Sequence, residues 1–366
     1  MRIVIEGSCI TGSKAGIGNY AYSLLKEMLI VDNVNSYTLL CKYRNIPAVD
    51  GIGEGLRKLV TKRSVYKYLP FDTEGLNERF DLYHEPNYIP RAFRGKVITT
   101  ICDMSYKLYP QYHPRRRVMT FGFFENRMRN VDRIITISRN SKQEIIDLLK
   151  VPEDKVTVTY LGATDAYRPI FINEELKIKF RLKYGIPDNF LLYVGTIEPR
   201  KNLSRLIEAF YLFKKETPKS EEVKLILVGG QGWLYNEIFS RVRELKMENE
   251  IIFTGYVSNE DLPFLYNMAM AFVYPSLYEG FGLPPLEAMS CGTPVISSNT
   301  SSIPEVVGDA GILVDPYNVN DWASAISQLA GSSILRSELS SKGLIQASKF
   351  SWKRCAEETL GVYCNV

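Results

Sequence analysis

The chain has 366 residues, 45 basic and 41 acidic side chains, a formal net charge of +4 and 45% hydrophobic residues. That length exceeds one ordinary core and suits two domains, and the composition is that of a globular protein without low-complexity tracts or repeats. It excludes a disordered chain and a membrane-spanning one, since no segment stays apolar long enough to cross a bilayer.

The first residues, Met1 to Glu6, form a short apolar run that turns polar at once, which fits a strand and not a signal peptide. The six cysteines show neither a C-x-x-C pair nor zinc spacing, so reduced thiols and a cytoplasmic location are expected. Charge is unevenly shared. Residues 1–166 hold 25 basic against 18 acidic side chains, while the remainder holds 20 against 23. A surplus of this size suits an anionic lipid surface or a phosphorylated substrate, and no nucleic-acid recognition motif accompanies it.

Strand-length apolar runs at 2–6, 36–41, 82–84, 97–101, 134–137 and 156–160 alternate with amphipathic stretches of helical length. Residues 138–149 read as a helix with Ser138 as N-cap and Pro152 just past its end. Asp165-Ala-Tyr-Arg-Pro169 breaks the pattern as a hinge. A second series then places strands at 190–194, 224–228, 251–254, 271–274 and 294–297. The expected fold is α/β, two Rossmann-like doubly wound domains at 1–166 and 167–349, with a closing helix in 350–366. Such sheets bind ligands at the carboxyl ends of their strands, so two facing lobes would hold substrate in an interdomain cleft.

The segment richest in chemistry is Tyr274-Pro-Ser-Leu-Tyr-Glu279-Gly-Phe-Gly-Leu-Pro-Pro-Leu-Glu287-Ala-Met-Ser-Cys-Gly292-Thr-Pro-Val-Ile296. A strand ends, a carboxylate precedes a glycine loop, and two prolines open a helix carrying a second carboxylate before Gly292 closes it. Gly280 and Gly282 allow close backbone approach, and the helix N-terminus attracts a diphosphate. Glu287 lies too far in to cap the helix and could accept hydrogen bonds from ribose hydroxyls. The plain alternative is a solvated loop acid and an exposed helix residue.

Glu279 and Glu287 form the E-x7-E motif, and at this point the chain resembles the family 4 retaining glycosyltransferases. The resemblance extends to Tyr193-Val-Gly-Thr-Ile-Glu-Pro-Arg-Lys-Asn202, Val131-Asp-Arg-Ile-Ile-Thr-Ile-Ser138, Gly16-Ile-Gly-Asn-Tyr20 and Phe350-Ser-Trp352. It implies the GT-B fold, an acceptor-binding first domain and a donor-binding second one. Glu287 then holds the donor ribose. Glu279 faces the transferred sugar with the amides of Gly280, Phe281, Gly282 and Leu283, and Arg200 and Lys201 clamp the diphosphate. Many members carry an arginine where this chain has Thr196, so the clamp leans on Arg200 and Lys201. Gly16 and Gly18 begin a G-x-G-x-x-A string, too far from the first strand for a dinucleotide fingerprint; the resemblance gives them a place over the diphosphate.

The implied reaction moves a sugar from a nucleotide-diphosphate sugar, GDP- or UDP-linked, to a hydroxyl of a glycan or lipid-linked acceptor in surface polysaccharide synthesis. It needs no metal or cofactor, and the departing phosphate takes the acceptor's proton on the face that it leaves. A nucleotide-sugar epimerase of the same fold and an inactive binding homologue remain as alternatives.

The only histidines, His84 and His113, are too few for a metal site. His84 and Asp103 stand at strand ends, where they could touch an acceptor, and His84 serves equally as a structural hydrogen-bonding group. Cys102 occupies a position where much of the family has a histidine that reads the donor 6-hydroxyl. A thiol is a weak donor, which points to a 6-deoxy sugar unless another side chain replaces the histidine. Two basic stretches, Arg57-Lys58 through Lys62, Arg63 and Lys67 with Tyr66 and Tyr68, and Arg115-Arg-Arg117 with Phe121, Phe123, Phe124, Arg127 and Arg129, are either solvated faces or a peripheral contact with anionic membrane.

Overall fold

The computed structural model describes residues 1–10, 16–41, 56–60, 80–217, 220–232 and 236–366. The chain divides into two compact units, Met1–Gly162 with Ser351–Val366, and Ala163–Phe350. In the first unit β1 (Arg2–Glu6), β2 (Ser36–Cys41), β3 (Leu56–Val60), β4 (Leu82–Glu85), β5 (Lys96–Thr100), β6 (Arg133–Thr136) and β7 (Val156–Val158) form one parallel sheet. Its order is β3-β2-β1-β4-β5-β6-β7. In the second, β8 (Asn189–Val194), β9 (Val223–Val228), β10 (Ile251–Gly255), β11 (Ala271–Tyr274), β12 (Val295–Ser298) and β13 (Gly311–Val314) pair in parallel in the order β10-β9-β8-β11-β12-β13.

Both sheets grow outward from their first strand and then reverse, so each has a switch point, β1 against β4 and β8 against β11. Strands buried on both faces read as continuous apolar runs. Leu191, Leu192, Ile226, Leu227, Phe272, Val273 and Ile296 are fully buried in the second sheet, as are Val4, Ile98 and Ile134 in the first.

Most strands fall within two residues of the expected positions, but β3 and β13 are additions. Leu-Arg-Lys-Leu-Val of β3 hides in a basic stretch; among the described residues it is an edge strand, paired with β2, and edge strands need not be apolar. Arg57 and Lys58 therefore belong to a sheet edge, while Lys62, Arg63, Tyr66, Lys67 and Tyr68 lie outside the described residues. β13 is short, Gly-Ile-Leu-Val, and merges with its turns.

Ser138 caps the helix Arg139–Leu149, its hydroxyl accepting from the Ser141 amide at 3.0 Å, and Lys150 closes it in the left-handed region. No described helix is long and apolar enough to cross a membrane. The segment after Gly162 is tied within the second unit, where the Asn267 side chain accepts from Ile170 N and donates to Arg168 O.

The closing helix Trp352–Cys364 lies in the first unit and buries Trp352, Cys355, Ala356, Thr359, Val362 and Tyr363. Trp352 meets Tyr20 of the helix Ile17–Val31 with ring centres 6.3 Å apart. Gly162 makes the close approach possible, because a Cβ there would stand 2.3 Å from Trp352 N and 2.5 Å from Ser351 C. Gly162→Ala must shift backbone, and a loss of about 1–3 kcal/mol, or roughly 3–10 °C in melting midpoint, is expected. Gly361→Ala in the same closing helix meets nothing within 4 Å and should leave the midpoint level or raise it. Thermal melts of the two variants check the contrast.

Candidate active site

The second sheet's switch point carries the main cluster. Beyond β8 the chain makes a tight turn, Pro199–Lys201, ended by Asn202 in the left-handed region at φ 59°. The Asn202 amide donates to the carbonyls of Pro275 at 3.1 Å and Pro316 at 2.7 Å, and Leu277 N donates to Arg200 O at 3.0 Å. These bonds pin the turn to the segment following β11. Arg200 and Lys201 thereby reach Glu279, which stands 78 positions beyond Lys201 in the sequence.

Glu279 is held from several sides. Lys201 Nζ and Ser276 Oγ each lie 2.5 Å from its Oε1, and the Tyr274 hydroxyl donates to the same oxygen at 2.9 Å. Arg200 stands 3.4 Å from Oε2 and also donates to Tyr278 O. Burial works against the charged carboxyl, yet Lys201, Arg200 and the hydrogen bonds from Lys201 and Ser276 hold it down to about 2. Glu279 is therefore ionised at neutral pH.

The following loop is fixed by two serines. Ser301 Oγ accepts from Glu279 N at 3.0 Å, and Ser302 Oγ donates to the carbonyls of Glu279 and Phe281, each at 2.8 Å. Gly282, at φ 112°, takes a conformation that side chains disfavour and turns the chain into the helix Leu283–Ser290. Gly280 and Phe281 are buried at this bend. The helix thus aims its N-terminus along the loop that Glu279 begins, a geometry suited to an anion.

Glu287, one turn before the helix end, meets different neighbours. The Tyr266 hydroxyl donates to it at 3.0 Å, and Tyr167 adds a second hydrogen bond. Burial outweighs both and pushes its carboxyl up to about 7. The two motif glutamates thus titrate far apart, Glu279 well below neutral pH and Glu287 close to it, because one has cations and the other only hydroxyls.

The first-unit candidates are spread over several elements. Gly16 is exposed at the start of the helix Ile17–Val31, and Gly18 within it faces the Cys9 carbonyl, which a Cβ would approach to 2.5 Å. His84 is fully buried at the end of β4, bonded to the Tyr363 hydroxyl at 2.6 Å and to Thr100 Oγ1 at 2.8 Å. Burial pulls its imidazole down to about 3, so it is neutral. Asp103 lies just ahead of the short helix Ser105–Leu108, its carboxylate accepting from Ser105 N at 2.8 Å. Cys102 is buried, and burial pushes its thiol well above the ordinary range.

Several residues here carried no role from sequence. Glu198, two positions before Arg200, binds that guanidinium at 2.8 Å. Tyr274, Ser276, Tyr266 and Tyr167 position the two glutamates from separate elements. Glu198, inside the Glu-Pro-Arg-Lys string, and Tyr274 and Ser276, just ahead of Glu279, lay in motif segments, whereas Tyr266 lay in none.

Residues 176–344 match the family model described as Glycosyl transferases group 1, and residues 54–166 match Glycosyltransferase Family 4. The chain is 35% identical to O-antigen chain mannosyltransferase B of Escherichia coli over 385 residues, 99% of each chain. Among solved structures, sucrose-phosphate synthase from Thermosynechococcus elongatus superposes with a TM-score of 0.77 at 21% identity, over 100% of this chain and 98% of that one. Anabaena HepE in complex with UDP and glucose gives 0.76 at 18% identity, over 100% of both chains. With the E-x7-E loop in place on the second of two doubly wound sheets, the chain belongs to glycosyltransferase family 4, has the GT-B fold and is a glycosyltransferase.

Proposed function

We propose that this glycosyltransferase moves mannose, with retention of configuration, from a nucleotide-diphosphate sugar onto a glycan or lipid-linked acceptor in surface polysaccharide synthesis. The observation that carries the reading is the ionised Glu279, gripped by Lys201 and Arg200 beside the N-terminus of the helix Leu283–Ser290. Charge develops on a leaving diphosphate, and preorganised cations and amides stabilise it there. Glu287 takes the ribose hydroxyls, and Glu279 and the Gly280–Leu283 amides meet the hexose. The acceptor hydroxyl bonds to the anomeric carbon on the face from which the phosphate departs, and its proton passes to that phosphate.

The E. coli relative's name supports mannose, a sugar with a 6-hydroxyl, over the 6-deoxy donor suggested by Cys102. Nucleotide release with and without acceptor, across GDP- and UDP-mannose and their 6-deoxy counterparts, decides between them. Mannosyl transfer is expected to dominate and to survive EDTA, because Arg200, Lys201 and the helix N-terminus take the role of a divalent ion. Preference for a 6-deoxy donor, or loss of turnover restored by added metal, would overturn the respective part.

Glu287 provides a test with two readouts. Its carboxyl sits at about 7 when folded, above the ordinary glutamate value, so wild type loses stability as pH rises through 7 and recovers it toward acid. Glu287→Gln never ionises and should melt above wild type at pH 8, with the gap closing by pH 4. The same variant should bind donor roughly ten- to hundredfold more weakly, the cost of one hydrogen bond to a charged group. Glu279→Ala should chiefly lower turnover. Melts at both pH values and donor titrations check these expectations, and unchanged donor affinity sinks the ribose assignment.

We further propose that the enzyme works in the cytoplasm, peripheral on the inner membrane face. Residues 105–129 hold six basic side chains against one acid, and Met119 and Phe123 of the helix Arg115–Phe123 are 74% and 80% exposed. Apolar side chains beside cations suit an anionic bilayer surface. Binding to anionic vesicles should fall as salt rises and should weaken when Arg115, Arg116 and Arg117 become Glu. Failure to sediment with such vesicles at low salt returns this face to solvent.

A further inference from the structure

We infer that Glu198 is a positioning residue that sets the charge of the diphosphate site, so that the nucleoside diphosphate product can leave. The inference rests on the donor-site reading above. Glu198, Arg200, Lys201 and Glu279 form one connected cluster, with side chains 3%, 16%, 9% and 13% exposed. Their formal charges cancel. Two cations face a diphosphate site, but each has a carboxylate within 3 Å, Glu198 on Arg200 at 2.8 Å and Glu279 on Lys201 at 2.5 Å.

Glu279 has several partners and a place at the sugar. Glu198 differs, since its carboxylate has the Arg200 guanidinium as its hydrogen-bond partner among the described residues. Holding that guanidinium in place needs only a hydrogen-bond acceptor, which an amide supplies as well. A buried carboxylate is costly to desolvate, so its charge calls for a separate reason. The backbone around it is also set. Glu198 O accepts from Lys201 N at 3.0 Å to close the turn, and a Cβ on Gly232 would stand 3.3 Å from Glu198 Cβ, so the loop after β9 backs the side chain closely.

The charge count decides the consequence. A nucleoside diphosphate is a multiple anion, and a site with two uncompensated cations in a poorly solvated place would hold it strongly after transfer. One balancing charge a few ångströms behind Arg200 weakens that hold on the product while leaving the guanidinium aimed for the transition state. At an effective dielectric near 20 a unit charge at about 8 Å matters on the order of tenfold in affinity once partial exposure is allowed for.

The test uses the full-length protein, with GDP and UDP titrated separately as product probes. Glu198→Gln keeps shape and an acceptor for Arg200 but removes the charge. It should tighten binding of whichever diphosphate the wild type holds by about tenfold at low salt, lower kcat and lower the donor KM with it. High salt should shrink the difference, and Glu198→Asp, which restores the charge, should bind as wild type does. Unchanged or weaker diphosphate binding by a Glu198→Gln protein that melts like wild type overturns the inference. Lys201→Met separates this from the donor reading: if that variant binds diphosphate as wild type does, the donor site itself is misplaced, and both readings fall.

Discussion

The burial of Glu279 against Lys201 and Arg200 is the constraint on which the rest of the second unit's site depends. A carboxylate so enclosed remains ionised only if cations and donors reach it with good geometry, and removing one partner strands the others in a poorly solvated place. The turn Pro199–Lys201 must therefore be tied to the chain after β11, which Asn202 and the Leu277 amide accomplish. The serines at 301 and 302 then fix the loop that follows. Each of these bonds joins segments far apart in sequence, so the site exists only when the sheet has formed around its switch point.

The two motif glutamates show how environment divides a pair of identical side chains. Glu279, beside two cations, is held near 2; Glu287, beside two tyrosine hydroxyls, rises to about 7. A carboxyl kept short of donors is costly for the empty protein and ready for hydroxyl groups brought by a ligand, a trade of stability for binding common at functional sites. In the first unit the polar groups are spent differently. His84 connects Tyr363 of the closing helix to Thr100 of β5, which in turn meets the Tyr20 hydroxyl at 3.0 Å. That chain ties the last residues of the protein to the helix that follows Gly16.

The sequence by itself determined the elements whose signals are local. Apolar runs marked most strands because parallel strands are buried on both faces, Ser138 announced a cap by its place before a periodic stretch, and Glu279, the glycines and the paired prolines marked a strand, loop and helix start. What only the tertiary structure decided are the partners. Glu198 as the counter-charge of Arg200, Tyr266 and Tyr167 as the donors to Glu287, and the membership of Trp352–Cys364 in the first unit depend on contacts between distant segments. β3 escaped notice for the complementary reason, since an edge strand need not look apolar. Periodicity and turn chemistry report what each residue does with its neighbours in the chain, whereas charge state and partnership are set by which strand ends the fold brings to one point.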